Sequence, residues 1–431
     1  MKTLSKTLFG ILLTLMWLPL VQTGFVFFES APLQGAITTH AKPMLNDSTW
    51  FAGIYQKEYE LYINDTIGYH HAFIRLRNQI DYSLFKKCHS YDIEVGKNGY
   101  LIATTHIDAH LGKLHTTESK IDSNVFMLKQ LNDTLLKLNK TLVLLFAPSR
   151  GAFYKDLSPY WYDLRKEHES DYECYLRLLN PTNIKIIDYN RWFLESKDTT
   201  TYPLFTKCGI HWSTYGAVLA ADSLVCFIEK ERQLDLPDIV IDSIELSNSA
   251  RHTDADLNST LNLIWPVKNN TMAYPNLSFK KSGKDKLKFL VIGDSFFFNI
   301  GATNIPPEVF EEYSFWYYNS SIFSNGNNNG KNTREVNLQN EINKHDVIAL
   351  IATEVNLNEF GWGFIKNSWE TYFYTDSERV KYYVDQIKNN TSWYEQIIQK
   401  AKQNNNTVEI QITEDAKYLV WKEKQENVFK N

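Results

Sequence analysis

Cysteine is scarce: the 431-residue chain has 4, at Cys88, Cys174, Cys208 and Cys226. That excludes a disulfide-dense scaffold, and the spacing forms no zinc site, so these residues are at most optional staples with three possible full pairings. An excess of basic charge is also missing. With 45 Lys and Arg against 50 Asp and Glu the net charge is −5, which leaves no electrostatic footprint for DNA or RNA. Clustered His and carboxylate ligands do not occur, so neither a metal nor a cofactor is expected.

What is present is the composition of a folded protein, 43% hydrophobic and 22% charged. Aromatic content is high at 14%, with 25 Tyr, 25 Phe and 11 Trp. It suits ring stacking on sugars and, equally, a well-packed core. Lys2 and Lys6 precede an apolar segment, Leu8 to Phe28, mildly interrupted by Pro19, Gln22, Thr23 and Gly24. Its length matches a bilayer span and no clean small-x-small cleavage site follows, which predicts an uncleaved signal anchor rather than a cleaved signal peptide. The basic flank stays inside, so the chain from about Glu29 onward is exported, to the periplasm or the cell surface. In that oxidising compartment disulfides are permitted. The Asn-x-Ser/Thr sequons, for example at Asn46, Asn132, Asn258, Asn276 and Asn390, are explained by the Asn-rich composition.

Along the chain, Trp50 to Phe85 predicts two helices around Asn64-Asp-Thr-Ile-Gly68, and Ile93 to Ile102 a hairpin turning at Asn98-Gly99. Ser119 to Leu138 has helical spacing and leads into an all-apolar strand, Thr141 to Ala147, stopped by Pro148. The pattern repeats as a helix over Tyr160 to Leu179 and a strand over Ile184 to Tyr189, the signature of parallel α/β architecture. A helix follows Trp212, with Ser213 or Thr214 able to cap it. Residues 233 to 285 read as irregular apart from Ile239 to Ile244; further strands are expected at Leu287 to Ile292, Tyr313 to Tyr318 and Val347 to Thr353. Ser324 to Lys331 reads as a loop and Ser377 to Gln403 as amphipathic helix.

Two stretches carry chemistry. In Lys286-Leu-Lys-Phe-Leu-Val-Ile-Gly-Asp-Ser295 a buried strand stops at a glycine, an acid and a serine, which places Ser295 at the carboxyl end of the sheet. A serine hydroxyl needs a base to become a nucleophile. His211 is the outstanding candidate, in Cys208-Gly-Ile-His-Trp-Ser-Thr-Tyr-Gly216, a loop held directly before a helix. Asp294 is expected to shape the turn, since adjacent side chains point apart. Trp212 can shield the site or form a sugar platform. Arg150, Tyr154, Tyr318 and Glu354 lie at or beyond predicted strand ends and are candidate substrate-binding residues. The backbone N–H of Ser295 and the side chain of Asn319 are candidate oxyanion donors.

The Gly-x-His-Trp-Ser-x-Tyr-Gly loop before a helix, followed by strand-Gly-Asp-Ser-Phe, resembles the SGNH-hydrolase-like family of the alginate O-acetyltransferases, AlgJ and AlgX, and the related DHHW proteins. Ala147-Pro-Ser-Arg-Gly-Ala-Phe-Tyr154, Tyr202-Pro-Leu-Phe205 and Leu350-Ile-Ala-Thr-Glu-Val-Asn-Leu357 extend the resemblance over much of the exported chain. It implies an SGNH-hydrolase-like parallel sheet flanked by helices and an O-acetyltransferase or esterase acting on an exported polysaccharide, with a membrane-bound O-acyltransferase as partner. It also implies a Ser-His-Asp triad whose acid lies two residues before the histidine. Ser295 and His211 match that pattern, but the acid's position holds Gly209. A dyad oriented by a backbone carbonyl, a carboxylate from elsewhere (Asp188, Asp254 or Asp256), or a binding relative that has lost activity all remain open. The expected organisation is an anchor over 1–30, a helical extension over 31–99, the SGNH-hydrolase-like domain over 100–365 and a second helical extension over 366–431.

Overall fold

The computed structural model describes residues 2–35, 37–373 and 376–428. An apolar helix, α1 (Lys2–Phe25), leads through an extended segment to α2 (Asp47–Phe51), α3 (Ile54–Thr66) and α4 (His70–Phe85). A hairpin of β1 (Ile93–Val95) and β2 (Leu101–Ala103) follows, turning through Asn98 (φ 56°) and Gly99 (φ 73°) as the Asn-Gly pair predicts. Then come α5 (Thr104–His110), α6 (Glu118–Lys137), β3 (Thr141–Ala147), α7 (Arg150–Phe153), α8 (Asp171–Leu179), β4 (Lys185–Asp188), α9 (Tyr189–Ser196) and α10 (Thr214–Arg232). The chain continues with β5 (Asp238–Ser247), α11 (Asp256–Thr260), β6 (Met272–Lys280), β7 (Lys288–Gly293), α12 (Phe296–Ala302), α13 (Ile305–Val309), β8 (Glu312–Tyr317), β9 (Ser321–Ser324) and β10 (Asn327–Asn332). It closes with α14 (Leu338–Lys344), β11 (Val347–Thr353), α15 (Phe364–Phe373), α16 (Asp376–Asn389), α17 (Thr391–Asn404) and α18 (Val408–Val428).

The central sheet has seven strands in the order β10-β9-β8-β7-β11-β3-β4. From β8 to β4 neighbouring strands run parallel, and β9 and β10 add an antiparallel edge. Because strand side chains alternate, β7 sends Phe289 and Val291 into one core and Leu290 and Ile292 into the other. β11 does the same with Ala349 and Ile351 against Ile348 and Leu350. Both faces are therefore covered, which is why these strands read as unbroken apolar runs rather than alternating ones. The expected α/β fold, a largely parallel sheet between helices, is what the chain adopts.

Several elements differ from the sequence expectation. The helix expected over Tyr160 to Leu179 begins only at Asp171, where Ser170 and Glu173 form a capping box that starts it afresh. The stretch expected to be irregular contains the antiparallel ribbon β5–β6 and the short helix α11. The loop expected over Ser324 to Lys331 is the β9–β10 hairpin, turned by Asn325 and Gly326, both at positive φ. The amphipathic tail is broken at Asn390, which caps α17, and α16 to α18 share a small core of Ile387, Ile397, Ile412 and Ala416. All four cysteines are free thiols. Cys174 and Cys208 are wholly buried in apolar clusters, so they serve as packing residues here.

Candidate active site

The site stands at the carboxyl edge of β7. Gly293 has no positive φ; it is needed because β11 comes so close that a Cβ would collide with the Ile351 side chain. Ser295 has ordinary right-handed angles, φ −63° and ψ −14°, so the turn is not a strained elbow. Asp294 is fully buried and shapes it. One carboxylate oxygen accepts from Phe296 N, and the other from Thr353 N at 2.7 Å, Thr353 Oγ1 at 2.8 Å and Asn356 Nδ2 at 2.9 Å. The acid thereby ties the end of β7 to the end of β11 and leaves the half-buried Ser295 facing the crevice above the sheet.

Across that crevice, His211 Nε2 lies 2.8 Å from Ser295 Oγ. Its other nitrogen, Nδ1, lies 2.6 Å from Asp256 Oδ2. Asp256 Oδ1 accepts from Ile210 N at 2.7 Å and from Leu257 N at 2.8 Å, which fixes the carboxylate against the histidine loop and at the first residue of α11. With Nδ1–H donated to Asp256, Nε2 is left as the acceptor for the serine hydroxyl, the tautomer that serine activation needs. The imidazole packs against Phe296 at 4.8 Å between ring centroids, and 12% of its side chain is exposed.

The histidine loop is pinned from below. Arg150 is 1% exposed, and it donates to the carbonyls of Leu101, Thr206 and Lys207. Full burial lowers its pKa from the ordinary guanidinium value. Thr206 Oγ1 donates to Asp254 O at 2.6 Å, and Asn269 and Asn270 side chains accept from Cys208 N and Lys207 N. Ser213 caps α10, accepting from Gly216 N at 3.0 Å. These contacts join the loop before α10 to the segment leading into α11.

Of the other candidates, several stand elsewhere. Arg150 and Tyr154 are buried supports, the tyrosine hydroxyl donating to Phe205 O, so neither offers a surface to substrate. Trp212 has no exposure at all and donates its indole N–H to Phe296 O; it braces α12, the helix that follows Ser295, and forms no sugar platform. Asp188 caps α9 and accepts from Tyr172, and the buried Asp254 accepts from Thr214 N and Oγ1 at the start of α10. Burial raises the Asp254 pKa. Of the three candidate acids, Asp256 is the one hydrogen-bonded to His211. The Asn319 side chain donates one amide N–H to Trp362 O at 3.0 Å. Glu354 is 4% exposed and lies beside His110, with 3.4 Å from Oε1 to Nδ1.

Tyr318 is the substrate-binding candidate that stays accessible, 36% exposed at the end of β8. Its N–H donates to Gly293 O, at the end of β7 two residues before Ser295. Trp362, which the sequence reading passed over, packs against it at 5.0 Å between centroids. Tyr318 and Trp362 hold positive φ, uncommon for side chains of this size, and Asn319 takes the left-handed region that asparagine readily adopts. Among the described residues, no group of three or more His, Cys, Asp or Glu is placed to hold a metal ion.

Residues 93–276 match the family described as SGNH hydrolase-like domain, acetyltransferase AlgX. The matched segment contains His211 and Asp256 and ends before Ser295. No curated protein matches the chain. Similar solved structures include the O-acetyltransferase domain of Pseudomonas putida AlgJ, 16% identical with a TM-score of 0.43, covering 65% of this chain and 99% of that one. Pseudomonas aeruginosa AlgX is 12% identical with a TM-score of 0.40, covering 64% of this chain and 66% of that one. A DHHW family protein from Eubacterium siraeum is 14% identical with a TM-score of 0.39, covering 57% and 88%.

Proposed function

We propose that the chain is an exported, membrane-anchored O-acetyltransferase that moves an acetyl group through Ser295 to a hydroxyl of a polysaccharide. The observation that carries it is the hydrogen-bonded line from Ser295 Oγ through His211 to Asp256. The match of residues 93–276 to an SGNH-hydrolase-like acetyltransferase family supports the same class of chemistry. His211 Nε2 takes the Ser295 proton as Oγ attacks the acetyl carbonyl of the donor. The imidazolium that forms is stabilised by Asp256, and the backbone N–H of Ser295 faces the developing oxyanion. Collapse breaks the bond to the donor's leaving group, which receives the proton from His211, and leaves acetyl-Ser295. A sugar hydroxyl then gives its proton to His211, attacks the acyl carbon, and departs as the acetyl ester while Ser295 Oγ is reprotonated.

α1 provides the anchor: Leu4–Phe25 is a 22-residue apolar helix near the N-terminus. At about 1.5 Å per residue it reaches across a hydrocarbon core of about 30 Å. The acetyl donor is then delivered at the membrane, by a membrane-bound O-acyltransferase.

The test uses 4-nitrophenyl acetate with and without oligosaccharide acceptors, on the parent and on Ser295→Ala and His211→Ala. Acetyl-enzyme detected by intact mass in the parent and absent in Ser295→Ala is expected, with ester appearing on the acceptor. Hydrolysis alone, never diverted by any acceptor, makes the enzyme an esterase. Unchanged turnover in both variants overturns the role of Ser295.

A further inference from the structure

The helical hairpin that follows the anchor is turned inside out. On α4 the polar residues Asn78 and Gln79 face the protein body and are buried, Asn78 donating to Leu261 O and Gln79 accepting from Trp265 N. Its apolar residues Phe73, Leu76, Ile80 and Leu84, spaced three and four apart, are 46–70% exposed and form one stripe on the outer side. A helix packed on a water-soluble body has the reverse pattern. α3 has no buried residue at all, and Trp50, Tyr55, Tyr59 and Tyr62 make a ladder of neighbouring rings along α2 and α3.

The place where this hairpin touches α1 fixes its level. Gly68, in the turn between α3 and α4, donates its N–H to Thr23 Oγ1 at 2.7 Å. It lies so close to Pro19 O and the Gln22 side chain that a Cβ there would collide with both. At about 1.5 Å per residue, Gln22 and Pro19 stand roughly 5 and 9 Å inside the end of α1 at Phe25. Gln22 also closes the exit turn, donating to Phe28 O and accepting from Phe27 N. Phe25, Val26, Phe27 and Phe28, all more than half exposed, continue the apolar surface from the anchor toward the hairpin.

We infer that the α3–α4 hairpin lies in the membrane–water interface, with the stripe Phe73–Leu76–Ile80–Leu84 set into the outer side of the bilayer that α1 crosses. The inference rests on the reading of α1 as a membrane anchor given above. Helices with one apolar and one polar face lie in the headgroup boundary, and Trp and Tyr concentrate at that depth. Lipid is the occupant because the stripe joins, through the neighbouring rings Phe28, Tyr69 and Phe73, an apolar helix whose span no part of the protein covers, and because the contact at Gly68 lies within the length of that helix. The consequence for function is orientation: a hairpin held flat on the surface limits the tilt of the whole body and keeps the crevice above β7 at a set height over the membrane.

The test uses the full-length chain in phosphatidylcholine–phosphatidylglycerol liposomes, with the exposed Cys226 changed to Ser and single nitroxide labels introduced by Leu76→Cys, Ile80→Cys and Leu84→Cys. Leu12→Cys within α1 and Lys388→Cys on α16 serve as references, and the chain without an added cysteine gives the background. Power saturation should show oxygen exceeding a water-soluble nickel chelate at positions 76, 80 and 84, at a shallower depth than at position 12. Nickel-dominated relaxation at 76, 80 and 84, with position 12 deep in the bilayer, overturns the inference while leaving the anchor intact. Shielding from both reagents at the stripe also overturns it, since protein would then cover the face. Water exposure at position 12 itself overturns the anchor reading.

Discussion

Gly209 lies against Thr253: a Cβ at position 209 would stand 2.9 Å from the Thr253 carbonyl oxygen and 2.7 Å from Thr206 Oγ1. The segment 253–256 thus occupies the space above Gly209 and delivers Asp256 to the imidazole from the far side of the loop. A side chain at 209 and a carboxylate arriving through 253–256 exclude one another in this packing. Gly209→Ala should therefore lower stability by about 1–3 kcal/mol by overpacking and lower acetyl-ester turnover with it. Thermal melts and turnover measured on the same preparation check this.

Adding an acid at position 209 should not repair the loss of Asp256. In Asp256→Ala the carboxylate is gone, but Thr253 O and Thr206 Oγ1 still crowd position 209, so the combination with Gly209→Asp should stay as inactive as Asp256→Ala alone. Recovery of turnover in the double variant would show that the crowded segment moves aside.

Asp256→Asn is the sharper probe of the acid. The amide oxygen can still accept from Ile210 N, so the loop keeps its anchor, but no negative charge remains to hold Nδ1–H and stabilise the imidazolium. Turnover should fall by about 10²–10⁴-fold with little change in melting temperature. A fall in melting temperature that accounts for the loss would make Asp256 a structural residue only.

The strand leading to Ser295 and the loop around His211 were legible in the sequence because each is contiguous: an apolar run with its stop, and a histidine directly before a helix cap. Asp256 stood among three candidate acids because nothing local distinguishes it. It reaches His211 through long-range contacts, Thr206 to Asp254 and Cys208 to Asn258, which no periodicity encodes. Arg150 and Tyr154, which follow β3, are buried rather than turned to substrate for a related reason. Position after a strand names the edge of the sheet, but not whether a side chain points up to the crevice or down into the packing. The β9–β10 hairpin was hidden by its own polarity: Asn-rich β10 is paired through backbone bonds and an Asn-Gly turn, with no apolar alternation to announce it.

Acid should weaken the fold through His106. This residue is fully enclosed near Arg150, Asp256 and His211, and burial pulls its pKa from 6.5 to about 4. The unfolded chain binds the proton more readily, so the stabilisation is complete above about pH 6.5 and is lost as pH falls toward 4. The loss should be of the order of 2–3 kcal/mol. Chemical denaturation of the parent and of His106→Gln between pH 7.5 and pH 4.5 checks it. The variant should show a shallower slope, and equal slopes would assign the acid sensitivity to other groups.

Trp362 should separate transfer from hydrolysis. Its ring leans on Tyr318 at the edge of the crevice, its carbonyl is held by Asn319, and it plays no part in the line from Ser295 to Asp256. An aromatic face there is suited to stacking on a sugar ring and contributes nothing to attack on a small ester. Trp362→Ala should raise the KM for an oligosaccharide acceptor by about 3–10-fold, a change of about 1 kcal/mol. Release of 4-nitrophenol from the acetyl ester should stay within about twofold of the parent, since Ser295 and His211 are untouched. The readout is the ratio of acetylated acceptor to free acetate at fixed donor: it should fall in Trp362→Ala. If both products fall together, Trp362 supports the fold of the crevice rather than binding sugar.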